Sequence, residues 1–166
     1  MKAEWTVRHH LRPGDIGALI RLHGVLYARE HGYDRTFEAY VATGLADFVR
    51  SFRPRRDRIW LVEAGERIIG SVAIASRPNG TAQLRWFLVH PDHRGRGLGT
   101  ALLKKAIRFS RGRGYRTVFL WTTSELQEAS HLYARFGFRK TKETTHRVWG
   151  RTVTEERHDL RLRASR

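Results

Sequence analysis

The stretch that decides the fold runs from His90 to Leu103 and reads His-Pro-Asp-His-Arg-Gly-Arg-Gly-Leu-Gly-Thr-Ala-Leu-Leu. An apolar run, Leu84 to Val89, comes directly before it, and an amphipathic run follows it. This order predicts a strand, a glycine-rich turn and a helix. Glycines let a backbone approach a ligand closely, and the first amides of a helix favour anions. The stretch therefore predicts a pocket for a phosphorylated ligand.

Two widespread phosphate-binding motifs do not fit the turn. No G-x-x-x-x-G-K-[ST] pattern is present, which excludes a P-loop. A dinucleotide fingerprint that begins at Gly95 would need a glycine or alanine where Thr100 stands. No acidic residue that could hold a ribose occurs from Thr100 to Ser124. The pattern that remains is R-x-x-G-x-G, formed by Arg94, Gly97 and Gly99.

This pattern resembles the coenzyme A signature of the GNAT acetyltransferase superfamily. The resemblance implies that acetyl-CoA is the cosubstrate, that amides of the turn hold its pyrophosphate, and that no metal is needed. It also implies that the strand ending at Val89 is splayed from its neighbour, which leaves backbone groups free for the pantetheine arm. The cofactor-binding residues implied in this way are Leu88, Val89, Arg94, Gly95, Arg96, Gly97, Leu98, Gly99, Thr100, Ser130 and Tyr133.

A second motif lies in Ala129 to Phe138, which resembles the A-x-x-L-Y-x-x-x-G-F box of the same superfamily. In relatives, the tyrosine at the Tyr133 position often protonates the departing thiolate as general acid. A phenol with a pKa of about 10 suits such a leaving group. The resemblance also points to the backbone N–H of Val89 as donor to the oxyanion. The implied reaction is direct transfer of an acetyl group to a primary amine of a small molecule or peptide.

The general base is left open by the sequence. Many relatives carry a glutamate on the strand before the turn, but Leu84 to Val89 contains no acid. Four alternatives remain, namely Glu30, His31, Asp34 and Glu125. The missing acid also leaves open a catalytically silent sensor of acetyl-CoA. His90 and His93 have i, i+3 spacing, but no further ligand pattern lies nearby, so we predict no metal site.

Length and composition predict one globular domain, residues 1–166. The chain has 40% hydrophobic residues, which suits a folded protein with a core. The absence of cysteine excludes disulfides and thiol nucleophiles and is compatible with a reducing compartment. No run approaches the roughly 18 apolar residues of a membrane helix, and the first residues show no apolar signal core. We therefore expect a cytoplasmic protein with no membrane partner.

The chain is strongly basic, with a formal net charge of +16. Such a field attracts polyanions, including coenzyme A and nucleic acid. The excess is spread over four runs, none of which dominates: Arg53 to Arg58, Arg111 to Arg116, Arg139 to Lys142 and Arg161 to Arg166. A basic nucleic-acid-binding module therefore stays an alternative function, less favoured than the enzyme. A homodimer also stays open.

The order of elements predicts an α+β, or mixed α/β, fold with a single GNAT-like domain. We expect a central, mostly antiparallel twisted sheet of about seven strands flanked by about four helices. Ser124 to Gln127 fits a capping box before the last helix. Leu22 to Asp34 and Leu120 to Ser124 resemble the acetyltransferase half of bacterial MarR–GNAT fusion proteins. That resemblance does not fix the acceptor.

Overall fold

Seven strands and four α-helices make up residues 4–163, the part of the chain that the computed structural model describes. A short 3₁₀ helix, Pro91–His93, lies in the glycine-rich turn. The elements in chain order are β1 (Thr6–Arg8), α1 (Asp15–His31), α2 (Arg35–Arg50), β2 (Arg58–Ala64), β3 (Arg67–Arg77), β4 (Thr81–Val89), α3 (Leu98–Gly112), β5 (Thr117–Thr123), α4 (Gln127–Arg135), β6 (Arg139–Val148) and β7 (Arg151–Arg161).

The seven strands form one sheet in the order β1-β2-β3-β4-β5-β7-β6. Every neighbouring pair is antiparallel except β4 and β5, which run parallel. The parallel pair arises because α3 crosses over from the end of β4 to the start of β5. The predicted fold class, a mixed and mostly antiparallel sheet with four helices, is confirmed.

The parallel join between β4 and β5 is short. Only Thr81 to Gln83 pairs with β5, although β4 continues to Val89. Beyond this point the two strands have no pairing partners in each other, so a wedge opens towards the carboxyl end of β4. The splayed strand pair that the family resemblance implied is therefore present.

A β-bulge in β4 accompanies this opening. The register with β3 shifts between Ser71 and Ala73, and Trp86 takes a positive φ of 47°. The Ser71 hydroxyl donates a hydrogen bond of 2.6 Å to the Trp86 carbonyl oxygen, away from solvent. A bulge bends its strand and increases the local twist. This bulge consequently directs the last residues of β4 away from β5.

The bulge also reverses which face of β4 each residue presents. Residues two apart on a regular strand share a face. Leu84, however, packs in the core beneath α3, while Trp86 packs in the other core beneath α1 and α2. After the bulge, Phe87 and Val89 pack against the α3 side. The two cores on opposite faces of the sheet are thus linked by one irregular strand.

Helix termini agree only in part with the sequence prediction. Asp34 caps α2, because its carboxylate accepts a hydrogen bond from the Thr36 backbone N–H. The predicted capping box at Ser124 to Gln127 is wrong: α4 begins at Gln127 with Leu126 at its N-cap and no side-chain cap. Leu126, and not Ser124, occupies the cap position, so the S-x-x-Q spacing does not match the start of α4.

Candidate active site

The wedge between β4 and β5 holds a cleft of about 810 Å³. Its lining includes most of the predicted cofactor-binding residues: Leu88, Val89, Arg94, Gly95, Gly97, Leu98, Gly99, Thr100 and Tyr133. Two predicted residues do not lie on this lining. Arg96 points instead to Glu4, with 3.2 Å between its Nη1 and a carboxylate oxygen, and Ser130 lies on α4 outside the cleft wall.

The glycine-rich turn leaves unpaired amides at one side of the cleft. Gly95 and Gly97 have φ values of 75° and 79°, a left-handed conformation that glycine adopts without steric cost. Gly97 is the N-cap of α3 and provides no side-chain cap. Ala101 is the first residue of α3 whose amide donates a hydrogen bond to the Gly97 carbonyl, at 3.0 Å. The amides of Leu98 to Thr100 therefore have no partner within the helix, as an anion site requires.

Gly99 lets the helix approach the strand. A Cβ built at this position would lie 3.3 Å from Cζ of Phe87 and 3.6 Å from a methyl of Leu132. Any larger residue would have to displace a ring at the end of β4. The third glycine of the motif is therefore explained by helix–strand packing next to the cleft.

Arg94 ties the turn to α1. Its two terminal nitrogens donate to the Glu30 carboxylate at 2.7 and 2.8 Å, and its Nε donates to the Val89 carbonyl at 2.9 Å. This bidentate arrangement holds the pKa of Glu30 below its ordinary value, chiefly through the hydrogen bonds from Arg94. The last turn of α1 is thus connected through one guanidinium to the end of β4.

The Val89 amide faces the cleft. The next amide, that of His90, donates to the Ile69 carbonyl of β3 at 2.7 Å. Because backbone groups alternate in direction along a strand, the Val89 N–H points the other way, to the side from which β5 has diverged. The Arg94 contact to the Val89 carbonyl lies on that same side.

Tyr133 lies on α4 with its ring enclosed. Its side chain is 5% exposed, and its ring centroid is 5.9 Å from that of Phe87 and 5.8 Å from that of Phe138. Burial raises the pKa of Tyr133, so the phenol stays protonated at neutral pH. Its hydroxyl makes no hydrogen bond to another residue within 4–163, and the residue lines the cleft.

The far end of the cleft contains a cluster of polar groups around Glu125. Arg151 Nη2 is 2.7 Å from one Glu125 carboxylate oxygen. The other oxygen lies 3.7 Å from His31 Nδ1 and 3.5 Å from the Tyr33 hydroxyl. Arg151 also donates to the His31 carbonyl, which fixes the end of α1 against β7. Two of the four candidate bases, His31 and Glu125, are brought together here.

The other two candidate bases, Glu30 and Asp34, are each held in hydrogen bonds to neighbouring residues. Glu30 is held by Arg94, as described above. Asp34 lies outside the cleft lining and accepts hydrogen bonds from the backbone and hydroxyl of Thr36. These hydrogen bonds hold the pKa of Asp34 below its ordinary value. Asp34 therefore has a clear structural role as the cap of α2.

A buried histidine is the residue of the cleft wall that sequence reasoning did not single out. His23 is 3% exposed, its Nδ1 is 2.8 Å from the Leu19 carbonyl, and its Nε2 has no partner within residues 4–163. Burial lowers the pKa of His23 to about 4, so the ring is neutral at pH 7. A signal was present in the sequence, since His23 falls on the apolar stripe of α1 beside Leu19 and Leu26.

The sequence of this chain matches a known protein family. Residues 23–138 match the Acetyltransferase (GNAT) family. The chain belongs to the GNAT acetyltransferase family. It is 36% identical over 114 residues to N-acetyltransferase 8F1 of Rattus norvegicus, a match that covers 63% of this chain and 52% of that protein. This GNAT chain thus spans about half the length of the curated relative that it matches.

Solved structures agree on the GNAT fold. A GNAT acetyltransferase from Staphylococcus aureus Mu50 aligns with a TM-score of 0.76 and 18% identity, covering 96% of this chain and 99% of that one. A putative acetyltransferase from Salmonella typhimurium, solved with its cofactor acetyl-CoA, aligns with a TM-score of 0.70 and 18% identity, covering 97% and 95%. At these identities the likeness concerns the fold alone.

Within residues 4–163, no group of three or more histidine, aspartate or glutamate side chains is arranged to hold a metal ion. His90 and His93 have ring centroids 6.1 Å apart, without a third ligand. Among the helices described, none combines the length and apolar character that crossing a membrane requires.

Proposed function

We propose that this GNAT protein is an N-acetyltransferase that moves the acetyl group of acetyl-CoA directly to a primary amine of a small molecule or peptide. The observation that carries the proposal is the convergence of three features on one cleft. These are the uncapped start of α3, the inward-facing amide of Val89 and the enclosed hydroxyl of Tyr133. A phosphate site, an oxyanion donor and a proton donor are the parts that acyl transfer from a thioester needs.

Binding of acetyl-CoA is supported by the turn and by the charge of the chain. The pyrophosphate would accept hydrogen bonds from the amides of Leu98 to Thr100, next to the left-handed Gly95 and Gly97. Beyond Gln83, β4 does not pair with β5, so its open edge offers backbone groups other than the Val89 N–H to the amides of the pantetheine arm. A net charge of +16 raises the local concentration of such a polyanion.

The transfer step assigns one task to each of two groups. The amine nitrogen attacks the thioester carbon, and negative charge develops on the carbonyl oxygen. The Val89 N–H donates to that oxygen. The carbon–sulfur bond then breaks, and Tyr133 gives its proton to the departing thiolate. Burial keeps that phenol protonated across the neutral range, which suits a donor. Direct transfer of this kind uses no covalent enzyme intermediate.

Once its bond to the thioester carbon has formed, the amine nitrogen carries a positive charge, and in this proposal its proton goes to His31. Of the four candidates, Glu30 is bound to Arg94 and Asp34 caps a helix, whereas His31 lines the cleft with 18% of its side chain exposed. Imidazole is the side chain whose ordinary pKa lies nearest neutrality. Glu125, anchored by Arg151, lies beside the ring as its positioning residue.

The activity is tested by following free thiol while acetyl-CoA is incubated with a library of primary amines. Tyr133→Phe is expected to lower kcat by about 10²–10⁴-fold, the ordinary contribution of general acid catalysis, with little change in acetyl-CoA affinity. Tyr115→Phe is the matched control, because Tyr115 is 3% exposed and does not line the cleft. Acetyl-CoA binding without turnover of any amine would instead support the silent sensor.

The role of His31 is tested by the pH dependence of the rate. His31→Asn is expected to lower kcat/KM and to abolish the acidic limb of the profile. Glu125→Gln is expected to lower kcat/KM by less than His31→Asn, because it removes the carboxylate beside the ring but keeps the imidazole. Glu128→Gln, another carboxylate on the cleft lining, is the control. An acidic limb that persists unchanged in His31→Asn would remove His31 from the mechanism.

Three finer expectations remain predictions. The resemblance of Leu22 to Asp34 and Leu120 to Ser124 to the acetyltransferase half of MarR–GNAT fusion proteins concerns ancestry and leaves the acceptor open. A cytoplasmic location follows from composition alone. A homodimer is equally a matter for measurement in solution.

A further inference from the structure

The end of the sheet opposite the cleft gathers basic residues that are far apart in sequence. The runs Arg53 to Arg58 and Arg111 to Arg116 meet here with Arg161 and Arg163, whereas Arg139 to Lys142 lies on the neighbouring strand β6. Basic runs that are separate in the sequence are therefore brought together by the fold. We define the basic end as residues 51–58, 76–81, 111–117 and 161–163. It contains ten arginines: Arg53, Arg55, Arg56, Arg58, Arg77, Arg111, Arg113, Arg116, Arg161 and Arg163.

Direct hydrogen bonds join the four segments of the basic end. The Arg56 guanidinium donates to the Arg113 carbonyl at 3.1 Å, and the Tyr115 hydroxyl donates to the Arg56 carbonyl at 2.6 Å. The Arg116 amide donates to the Gly80 carbonyl at 2.9 Å.

The last segment is fixed in the same way, because the Leu162 amide donates to the Arg116 carbonyl at 2.8 Å. The arginines are consequently neighbours on one continuous surface that folding has assembled.

This surface lacks compensating negative charge. Its one carboxylate, Asp57, is buried and accepts hydrogen bonds from the backbone amides of Arg53 and Ser76, each at 2.7 Å. Within residues 4–163, the ion pairs that the structure forms involve other basic residues, and none of the ten arginines has a carboxylate partner. Ten arginines set against one buried carboxylate leave a large net positive charge on these segments, which attracts anionic partners.

Buried rings hold several guanidinium groups in place. Arg56 lies 4.2 Å from the centroid of Tyr115, while Arg58 and Arg113 lie 4.7 and 5.0 Å from that of Phe109. Cation–π contact restricts these side chains without using their hydrogen-bond donors. The donors remain available to oxygen acceptors, and a planar guanidinium suits phosphate in particular.

We propose that the basic end binds the phosphate backbone of a nucleic acid without reading its bases. The rings beneath the arginines are covered, with Phe109 and Tyr115 only 8% and 3% exposed, so they cannot stack on bases. Phe52 is the one large hydrophobic side chain of these segments that is exposed, so the described surface lacks the apolar centre typical of protein interfaces. With Phe52 as the one exposed ring beside ten guanidinium groups in these segments, the surface fits recognition chiefly by backbone charge.

This site is separate from the proposed active site. None of its arginines lines the cleft. Val89, beside the glycine-rich turn, lies roughly 25 Å from Thr81 of the basic end, at about 3.3 Å per residue of β4. The other end of the cleft lining reaches Gln83, whose side-chain oxygen accepts a hydrogen bond from Arg77 at 3.0 Å. A nucleic acid held here would leave the cleft open, so binding and acetyl transfer can be measured independently.

The test measures binding of a labelled 20-base-pair DNA duplex at several salt concentrations. The variant Arg53→Gln/Arg55→Gln/Arg113→Gln is expected to weaken binding at least 10-fold. It should also reduce the slope of log K against log salt by about 2–3, since each phosphate contact contributes about 0.9. A matched loss of three exposed charges away from the basic end is Arg67→Gln/Lys142→Gln/Arg147→Gln, expected to change binding less than 3-fold.

Three results would overturn the proposal. The first is a dissociation constant above about 100 μM at 100 mM salt for the unaltered protein. The second is equal weakening by the two triple variants, which would reduce the effect to net charge. The third is competition by polyglutamate that equals unlabelled duplex per unit charge, which would assign the surface to an acidic protein. Thermal melting and thiol release, unchanged in both variants, serve as checks on folding and on the separate cleft.

Discussion

The hydroxyl of Ser71 offers a direct test of what opens the cleft. It donates to the carbonyl of Trp86 at the bulge of β4. Trp86 has no pairing partner in the ladder between β3 and β4. Ser71→Ala removes that donor and leaves a buried carbonyl without it, which costs about 1–3 kcal/mol. For a chain of this size, each kcal/mol lowers the melting temperature by about 2–4 °C. The same loss should weaken acetyl-CoA binding, because the bulge directs the end of β4.

Ser110→Ala is the matched control. Ser110 is equally buried, and its hydroxyl donates to the Ala106 carbonyl at 2.8 Å within α3. That carbonyl lies four residues back in a helix, so it keeps its backbone partner when the hydroxyl is lost. We expect a change within about 0.5 kcal/mol. Urea unfolding measures both variants, and an equal effect of the two substitutions would refute the role given to the bulge.

Three further substitutions test other parts of the structure. Burial lowers the pKa of His23 to about 4, so as the pH falls below 6.5 this histidine takes up its proton in the unfolded chain before it does so in the folded one. Between pH 7 and 5 this difference lowers the free energy of unfolding by about 2 kcal/mol. His23→Gln should abolish that loss in urea titrations. Glu30, whose pKa is lowered by Arg94, contributes stability that is present above its ordinary pKa and lost as the pH falls through the lowered one. Glu30→Gln should therefore lose less stability between pH 5 and 3, and cost under about 1 kcal/mol at pH 7 because the pair is partly exposed; a larger cost would indicate that the pair fixes α1. Gly97→Ala should lower the free energy of unfolding by about 1–2 kcal/mol from its positive φ alone. Gly112→Ala, at an ordinary helical φ with free space for a Cβ, should leave that free energy unchanged or raise it, and urea unfolding measures both.

Local patterns were sufficient to predict most of the elements. The largely apolar runs Ile59 to Val62 and Ile68 to Ala75 form most of β2 and β3, and Trp149 and Gly150 turn the chain between β6 and β7. The bulge was not predictable in this way, because Leu84 to Val89 reads as an uninterrupted apolar strand. Its reversal of facing arises from contacts with Ser71 and with two separate cores.

The residues of the turn motif lie together on one side of the cleft, and the sequence could place them because they are consecutive. The other side is assembled from distant segments, and sequence alone could not choose among the four candidate bases. Arg94 and Glu30 are 64 residues apart, and Arg151 and Glu125 are 26 residues apart. Which carboxylate is neutralised by which guanidinium depends on tertiary geometry. The same reasoning applies to the basic end, whose arginines lie together only after β4, β5 and β7 align.

The three-residue join between β4 and β5 leaves two strand edges unpaired inside one sheet. The two parts of the sheet are held together elsewhere, because α3 packs in one core with residues of β3, β5 and β7. The Asp34 amide also donates to the Trp149 carbonyl at 3.0 Å, and Arg151 donates to the His31 carbonyl. The gap is therefore built into the packing, and a bound molecule can take up the backbone hydrogen bonds that the two edges leave free.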